Sequence, residues 1–315
     1  MRRIGDAPLT RRLLIGLALA LSALFLLLPL VAIFAQAFSQ GVAVFWSNVS
    51  NVFTLHAIGL TLVIALMTIP ICLVFGVALA WLVTRFSFPG RRLLQTLIDI
   101  PFAVSPVVAG LIYLLLYGRN GWIGSWLDQH DIQLMFAWPG ILMVTVFVTC
   151  PFVARELIPL MQAQGSREEE AAVTLGASGW TAFWRVTLPN IRWALMYGVI
   201  LTNARAVGEF GAVSVVSGAI RGQTNTLPLH VDQLYQDYNT VGAFASAALL
   251  ALIALLTLAA KAGLEWRAAR RETRYSSDQL PETVSKSVPK TSSQTPLESM
   301  PSGQNRQPLG GERRL

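Results

Sequence analysis

Charged residues are scarce in this chain of 315 residues. Asp, Glu, Lys and Arg together make up 13% of it, whereas a soluble domain carries roughly 25%. No charged residue occurs between Arg12 and Arg85. There are only two cysteines, Cys72 and Cys150, and both fall inside apolar runs, which argues against a disulfide framework. These shortages exclude an ordinary soluble domain and indicate a protein with several membrane spans.

Motifs for catalysis and nucleotide binding are also missing. The chain has no Gly-x-x-x-x-Gly-Lys-Ser/Thr phosphate loop, so we expect any ATP hydrolysis to occur on another chain. It lacks His-Glu-x-x-His and Gly-x-Ser-x-Gly, which disfavours a membrane-embedded hydrolase. The three histidines, His56, His130 and His230, have no metal-ligand spacing, so we predict no metal site and no cofactor bound by this chain. The formal net charge of +7 fits basic membrane loops better than nucleic-acid binding.

Six apolar stretches are long enough to cross a membrane, which takes about 20 residues in a helix. They are residues 13–38, 58–84, 93–117, 138–161, 191–218 and 241–264. The third contains Asp99, Pro101 and Pro106, so we expect its first turns to be irregular or packed inside protein. The sequence therefore predicts an all-α, polytopic membrane protein.

Lys and Arg predict the orientation of these spans. With a cytoplasmic N-terminus, fifteen basic residues fall on the inner side, and only Arg119 and Arg221 fall on the outer side. This positive-inside bias places both termini in the cytoplasm. The first apolar run is too long for the core of a cleaved signal peptide, so we interpret it as a retained span. The expected divisions are a cytoplasmic segment (1–12), a transmembrane domain (13–272) and a disordered cytoplasmic tail (273–315).

The cytoplasmic loop at 162–190 is unusually polar. Glu168, Glu169 and Glu170 open a predicted helix, where the helix dipole favours negative charge. We expect Gly176 to end that helix and Ser178 to cap a second one. In the second helix, Trp180, Phe183 and Trp184 have i, i+3, i+4 spacing, so we expect these aromatics to anchor the loop against its own spans. Pro189 is expected to close the loop before the fifth span. A small amphipathic helical pair of this kind is typical of a docking element.

The same loop resembles the EAA loop of the inner-membrane permease subunits of bacterial ABC importers. The matching residues are Glu170, Ala171, Ala172, Gly176, Val186, Leu188 and Pro189. Val186 stands where that family usually has Ile. The resemblance implies the type I importer permease fold, with six transmembrane helices and a cytoplasmic coupling helix. It also implies a separate ATPase, which holds ATP and Mg. The residues that we expect to couple the chain to it are Glu170, Ala171, Ala172, Gly176, Trp180, Leu188 and Pro189.

The fifth span carries the candidate pathway residues. If it is one helix, Asn203, Phe210, Ser214 and Ser217 share a stripe, and Arg205 and Glu209 are i, i+4 partners on roughly the opposite side. The ionic pair either fixes helix packing or presents Arg205 to a passing anion. The first interpretation is favoured, because a fixed charge that binds an anion tightly also slows its release. The stripe either lines the pathway with neutral donors, or its hydroxyls bond to their own backbone.

The segments around this span resemble one of the two permease types of sulfate/thiosulfate importers. The stretch 205–212 resembles permeases for sulfate and molybdate as a group, and the stretches 213–221, 226–228 and 236–242 resemble the sulfate/thiosulfate type. This resemblance runs from the first span to about Arg271. It implies a heterodimer with a related, CysT-type permease chain. It also implies two cytoplasmic ATP-binding subunits, a periplasmic sulfate/thiosulfate-binding protein and a place in the bacterial inner membrane.

Three alternatives remain at this point besides the hydrolase. A molybdate or tungstate importer would use two copies of one permease chain. A secondary transporter is disfavoured because no inverted repeat is visible. A passive membrane scaffold is the third.

Overall fold

The computed structural model describes residues 8–278, and every regular element within them is helical. The first elements are α1 (Pro8–Ser22), a π-helical turn (Ala23–Leu27), α2 (Leu28–Ala37), α3 (Val42–Val49), α4 (Val52–Arg85), α5 (Arg91–Ala103), α6 (Pro106–Tyr117) and α7 (Gly124–Gln129). They are followed by α8 (Trp138–Gln164), α9 (Arg167–Thr174), α10 (Gly179–Ala182), a second π-helical turn (Phe183–Thr187), α11 (Leu188–Val207), α12 (Gly211–Val216), α13 (Leu227–Gln236) and α14 (Thr240–Asp278). The expected all-α fold is confirmed.

Four of the described helices are long and apolar enough to cross a membrane. They span Arg11–Ala37, Val52–Arg85, Trp138–Gln164 and Thr240–Ala259. The first of these runs through the first π-helical turn without a break. The backbone of α14 is helical up to Asp278, beyond the predicted start of the tail at 273. Residues 1–7 of the predicted N-terminal segment and 279–315 of the tail lie outside the described residues.

The predicted third span is not one straight helix. It consists of α5 and α6, which are bent by 106° relative to each other. Val104 and Ser105 between them have extended backbone, because the ring of Pro106 disfavours a helical conformation at the residue before it. Pro101 lies inside α5, so the irregularity comes after the first turns rather than within them. The pair counts as a fifth span only if both helices are taken together.

The prediction of one continuous helix for the fifth span, 191–218, is also wrong. α11 ends at Val207, and α12 begins only at Gly211. Glu209 causes part of this break, because its Oε1 accepts a hydrogen bond from the backbone N–H of Ala212 at 2.9 Å. Its carboxylate therefore satisfies a free N–H in the first turn of α12, a role that it would not have inside an uninterrupted helix. α11 is not among the helices apolar enough to count as spans.

Small residues allow the central helices to pack closely. A Cβ placed on Gly76 of α4 would lie 2.5 Å from the Cβ of Val153 on α8. A Cβ on Gly198 of α11 would lie 3.3 Å from the Cα of the same valine. Cys72 is buried nearby, with its Sγ 3.4 Å from Oγ1 of Thr149, and it is a free cysteine, as expected. Helices α4, α8 and α11 thus form the centre of the bundle and position the loop that follows α8.

Candidate functional site

The polar loop at 162–190 contains α9 and ends that helix in a Schellman motif. Gly176 has φ of +91°, a left-handed conformation that glycine adopts without strain. The N–H of Gly176 donates to the carbonyl of Val173 at 2.9 Å, and the N–H of Ala177 donates to the carbonyl of Ala172 at 3.0 Å. These two bonds satisfy the last carbonyls of α9. The predicted helix stop at Gly176 agrees with the structure.

The second half of the loop differs from the expected separate helix. Ser178 caps α10 as predicted, since its Oγ accepts from the N–H of Thr181 at 3.2 Å. However, the chain stays helical from Gly179 through the second π-helical turn to Val207. Pro189 lies inside this continuous helical segment, directly after the π-helical turn, so its missing N–H removes one helical hydrogen bond without ending the helix. The loop therefore leads into α11 without a stop, and Pro189 does not close it.

The aromatic residues divide between the interior and the surface. Phe183 is 8% exposed, and its ring centroid lies 5.0 Å from that of Trp81 on α4. Trp180 and Trp184 are 64% and 52% exposed, so the expectation that all three aromatics anchor the loop was wrong for the two tryptophans. Trp180 stacks on Phe183 with centroids 5.7 Å apart. One ring thus holds the loop to α4, while the other two remain available at the surface.

An exposed apolar surface results, which we call the loop patch: Val173, Leu175, Trp180 and Trp184. Leu175 is 88% exposed, because it occupies the C-cap of α9 and projects from the Schellman turn. Glu170, Ala171 and Gly176 are exposed on the same loop, Ala172 and Leu188 are half-buried, and Pro189 is exposed. Large exposed apolar side chains grouped on one short loop beside polar groups are typical of a protein interaction surface.

The three consecutive carboxylates have three different partners. Glu168 accepts a hydrogen bond from the side-chain amide of Asn190, and Glu170 accepts one from the hydroxyl of Ser166. Glu169 instead forms an ion pair with Arg85, the last residue of α4. The sequence did not indicate that these two residues pair. The only available signal was that Arg85 ends the long stretch without charge.

Arg205 and Glu209 form a pair across the end of α11. Nη1 of Arg205 lies 2.5 Å from Oε2 of Glu209. The glutamate side chain is 1% exposed, whereas that of the arginine is 32% exposed. Since Glu209 also binds the N–H of Ala212, it holds the two helices on either side of the break together. Arg205 alone retains an accessible surface.

The predicted stripe of Asn203, Phe210, Ser214 and Ser217 does not exist as one helical face, because the chain between 208 and 210 is not helical. Asn203 is half-buried and Phe210 is 41% exposed. The hydroxyl of Ser214 donates to the carbonyl of Gly211 at 2.9 Å. Ser217 is fully buried, and its Oγ accepts from the N–H of Ala219 at 3.0 Å. Both hydroxyls thus bond to nearby backbone.

Near the start of α4, far from Arg85, His230 of α13 ties its helix to α4. Its Nε2 lies 3.0 Å from Oγ1 of Thr54, and Asn225 approaches Nδ1 at 3.4 Å. His230 is 3% exposed. Burial, together with the positive charge of Arg221, lowers the pKa of this imidazole. Among the described residues, no group of three or more His, Cys, Asp or Glu is placed to hold a metal ion.

Comparisons with known proteins agree on one family. Residues 73–270 match the family described as binding-protein-dependent transport system inner membrane component. The sulfate transport system permease protein CysW of Escherichia coli (strain K12) is 64% identical over 261 residues, which cover 83% of this chain and 90% of that protein. The sulfate transport system permease protein CysT of the same organism is 38% identical over 268 residues, covering 83% of this chain and 97% of that protein.

A solved structure has the same fold. It is the bacterial alginate ABC transporter in complex with a periplasmic protein bound to an alginate pentasaccharide. The match has a TM-score of 0.69 at 17% sequence identity and covers 82% of this chain and 94% of the matched one. At this identity the likeness concerns the fold alone, and it agrees with the expected importer permease architecture.

Proposed function

This chain belongs to the family of binding-protein-dependent transport system inner membrane components, and on that premise we propose that it is the permease subunit of an ATP-driven sulfate importer. The observation that carries this proposal is the 64% identity to CysW over 90% of that protein's length. The chain is a non-catalytic subunit, and ATP is hydrolysed on a separate chain. Thiosulfate is included in the proposal on the sequence resemblance alone.

The partners are proposed from the same comparisons. The CysT relative supports a heterodimer of two different permease chains, in which this chain forms half of the pathway. The transporter structure with its periplasmic protein supports a binding protein on the outer side. We add two cytoplasmic ATP-binding subunits that hold ATP and Mg. The strong excess of basic residues on one side supports an inner-membrane orientation with both termini cytoplasmic.

The loop at 162–190 is the proposed contact with the ATPase. The exposed loop patch, with Glu170 and Ala171 beside it, offers an apolar surface with a polar edge for a soluble partner. Because the backbone is helical from Gly179 to Val207, a displacement at Trp180 is carried directly into α11. That helix ends at the Arg205–Glu209 pair, so closure of the ATPase would move the break between α11 and α12.

We propose that the break between α11 and α12 borders the anion pathway. A bare dianion in a low-dielectric interior costs tens of kcal/mol, so the pathway requires polar groups that replace water. Asn203 and Phe210 retain accessible surface, and Arg205 adds positive potential that its pairing with Glu209 reduces. Ser214 and Ser217 belong to the same segment and support its backbone, as their hydrogen bonds to it indicate.

The test is ATP-dependent uptake of radiolabelled sulfate by the full complex reconstituted in proteoliposomes. Molybdate serves as the competitor, and Gly176→Arg is the variant. A side chain added at Gly176 meets no atom within 4 Å, but the left-handed backbone at this position is strained for arginine. The substitution also places a large cation next to the loop patch. We expect the variant to lose at least nine-tenths of the uptake.

Gly90→Arg is the matched control. Gly90 has φ of +95°, has nothing within 4 Å of an added Cβ and precedes α5 on the cytoplasmic side, outside the loop. Uptake that survives in this control but not in Gly176→Arg supports coupling through the loop. Equal uptake in the two variants would contradict the coupling assignment. Strong competition by molybdate would widen the substrate to tetrahedral oxyanions in general.

A further inference from the structure

Of the three carboxylates that open α9, only Glu169 is directed into the protein. Its side chain is 16% exposed, and that of its partner Arg85 is 11% exposed. Glu168 and Glu170 are exposed and bond to neighbouring polar side chains of the loop and of the first turn of α11. The acidic triplet is therefore not a uniform solvated face, and one of its members has a structural environment of its own.

The Arg85–Glu169 pair connects four elements at the cytoplasmic end of the bundle. Arg85 is the last residue of α4, and its Nη1 donates to the carbonyl of Met161 on α8 at 3.0 Å. Oε1 of Glu169 accepts from the hydroxyl of Thr187 at 2.6 Å. Thr187 is 2% exposed and ends the π-helical turn that leads into α11. Two side chains thus join α4, α8, α9 and the start of α11.

Apolar packing alone would hold these elements together without defining their relative positions as closely. A buried ion pair is seldom the most stabilising choice, since well-packed apolar residues often replace one without loss. What the pair adds is directional bonding, because each oxygen of Glu169 has its own fixed partner and Arg85 also bonds to α8. A displacement of α9 then acts on α4 and α8 as well as on α11.

We propose that Arg85 and Glu169 are positioning residues that transmit movement of the cytoplasmic loop to α4 and α8. The inference rests on the proposed function, in which an ATPase moves this loop. Without the pair, the loop patch still binds the ATPase, but its displacement reaches α4 only through the apolar contact of Phe183 with Trp81 and α8 only through the chain connection between Gln164 and Arg167. Complexes that lack the pair therefore hydrolyse ATP with less transport for each ATP consumed.

The experiment measures sulfate uptake and ATP hydrolysis together in proteoliposomes containing the full complex. The variants are Glu169→Gln, Arg85→Gln and the double variant with both changes. Glu168→Gln is the matched control, because it makes the same substitution on the adjacent, exposed carboxylate. We expect the sulfate-to-ATP ratio to fall at least fivefold in both single variants and to stay at the wild-type value in the control.

The double variant guards against a failure of folding, since it leaves no unpaired buried charge. If the single variants do not assemble, we expect the double variant to assemble and to have a sulfate-to-ATP ratio below that of the wild type. An unchanged ratio in assembled Glu169→Gln or double-variant complexes would overturn the proposal and leave the pair as a purely structural contact. Absence of ATP-dependent sulfate uptake in the wild-type complex would instead count against the proposed function itself.

Discussion

The Arg205–Glu209 pair yields a prediction that depends on the unequal burial of its two members. Arg205→Gln and Glu209→Gln remove the same ion pair. The first leaves a carboxylate that is 1% exposed with only the N–H of Ala212 as a partner, and the second leaves a guanidinium that is 32% exposed. We expect Arg205→Gln to be the more destabilising of the two, although Arg205 is the more exposed residue.

The magnitudes follow from what each change leaves behind. Breaking a buried pair costs about 3–5 kcal/mol, and the partial exposure of Arg205 favours the lower end, about 3 kcal/mol. In Glu209→Gln the amide oxygen still accepts from the N–H of Ala212, and water reaches the arginine. The loss there is the difference between a charged and a neutral hydrogen bond, about 1 kcal/mol. With an unfolding entropy of about 2.1 cal/mol/K per residue, a chain of 315 residues should show melting temperatures lower by roughly 4–5 °C and 1–2 °C.

The assay is thermal unfolding of the full-length chain, purified with its partner permease in detergent. The double variant should resemble Glu209→Gln, since it contains no buried charge without a partner. Equal melting temperatures for the two single variants, or a lower one for Glu209→Gln, would refute the reasoning. That result would place Glu209 in a more hydrated environment than its burial within this chain indicates.

Two further predictions concern packing and pH. Gly76→Ala places a Cβ 2.5 Å from that of Val153, so we expect overpacking to lower the unfolding free energy by about 2 kcal/mol. The control is Gly59→Ala in the same helix, which has no atom within 4 Å of the added Cβ and should be neutral or slightly stabilising. Equal unfolding free energies for the two variants would contradict this prediction. Because the pKa of His230 is lowered below 6.5, the unfolded chain binds a proton first, so stability should fall as the pH drops below about 6.5. Denaturation midpoints measured between pH 5 and 8 should show this fall in the wild type and a smaller one in His230→Gln, and parallel profiles would exclude His230 as the cause.

The local features of the loop at 162–190 were predictable from the sequence. Gly176 ends α9 and Ser178 caps α10 because a left-handed glycine and a capping hydroxyl act on backbone groups within a few residues. Phe183 and Trp184 were harder to separate. Both lie on the apolar face of one helical segment, and only the position of Trp81 on α4 decides that Phe183 is the buried one.

The all-α membrane class was also determined by the sequence alone. Long apolar stretches and asymmetric basic residues are sufficient for it, because a lipid environment leaves the backbone few alternatives to a helix. Asp99, Pro101 and Pro106 predicted an irregular third span, but they did not predict that the bend between α5 and α6 reaches 106°, because the packing of both helices against their neighbours decides that angle.

Only the tertiary structure decided where the charges act. Glu209 leaves the helix because its carboxylate finds the N–H of Ala212 on a new helix, whereas i, i+4 spacing indicated an ordinary helical pair. Glu169 meets Arg85 although 84 positions separate them, and nothing in the spacing of either residue indicates the other. The free energy of moving an apolar side chain out of water depends on that side chain's own surface, so it can be summed residue by residue along a chain. The partner of a buried charge depends on which helices pack together, and the sequence does not state that directly.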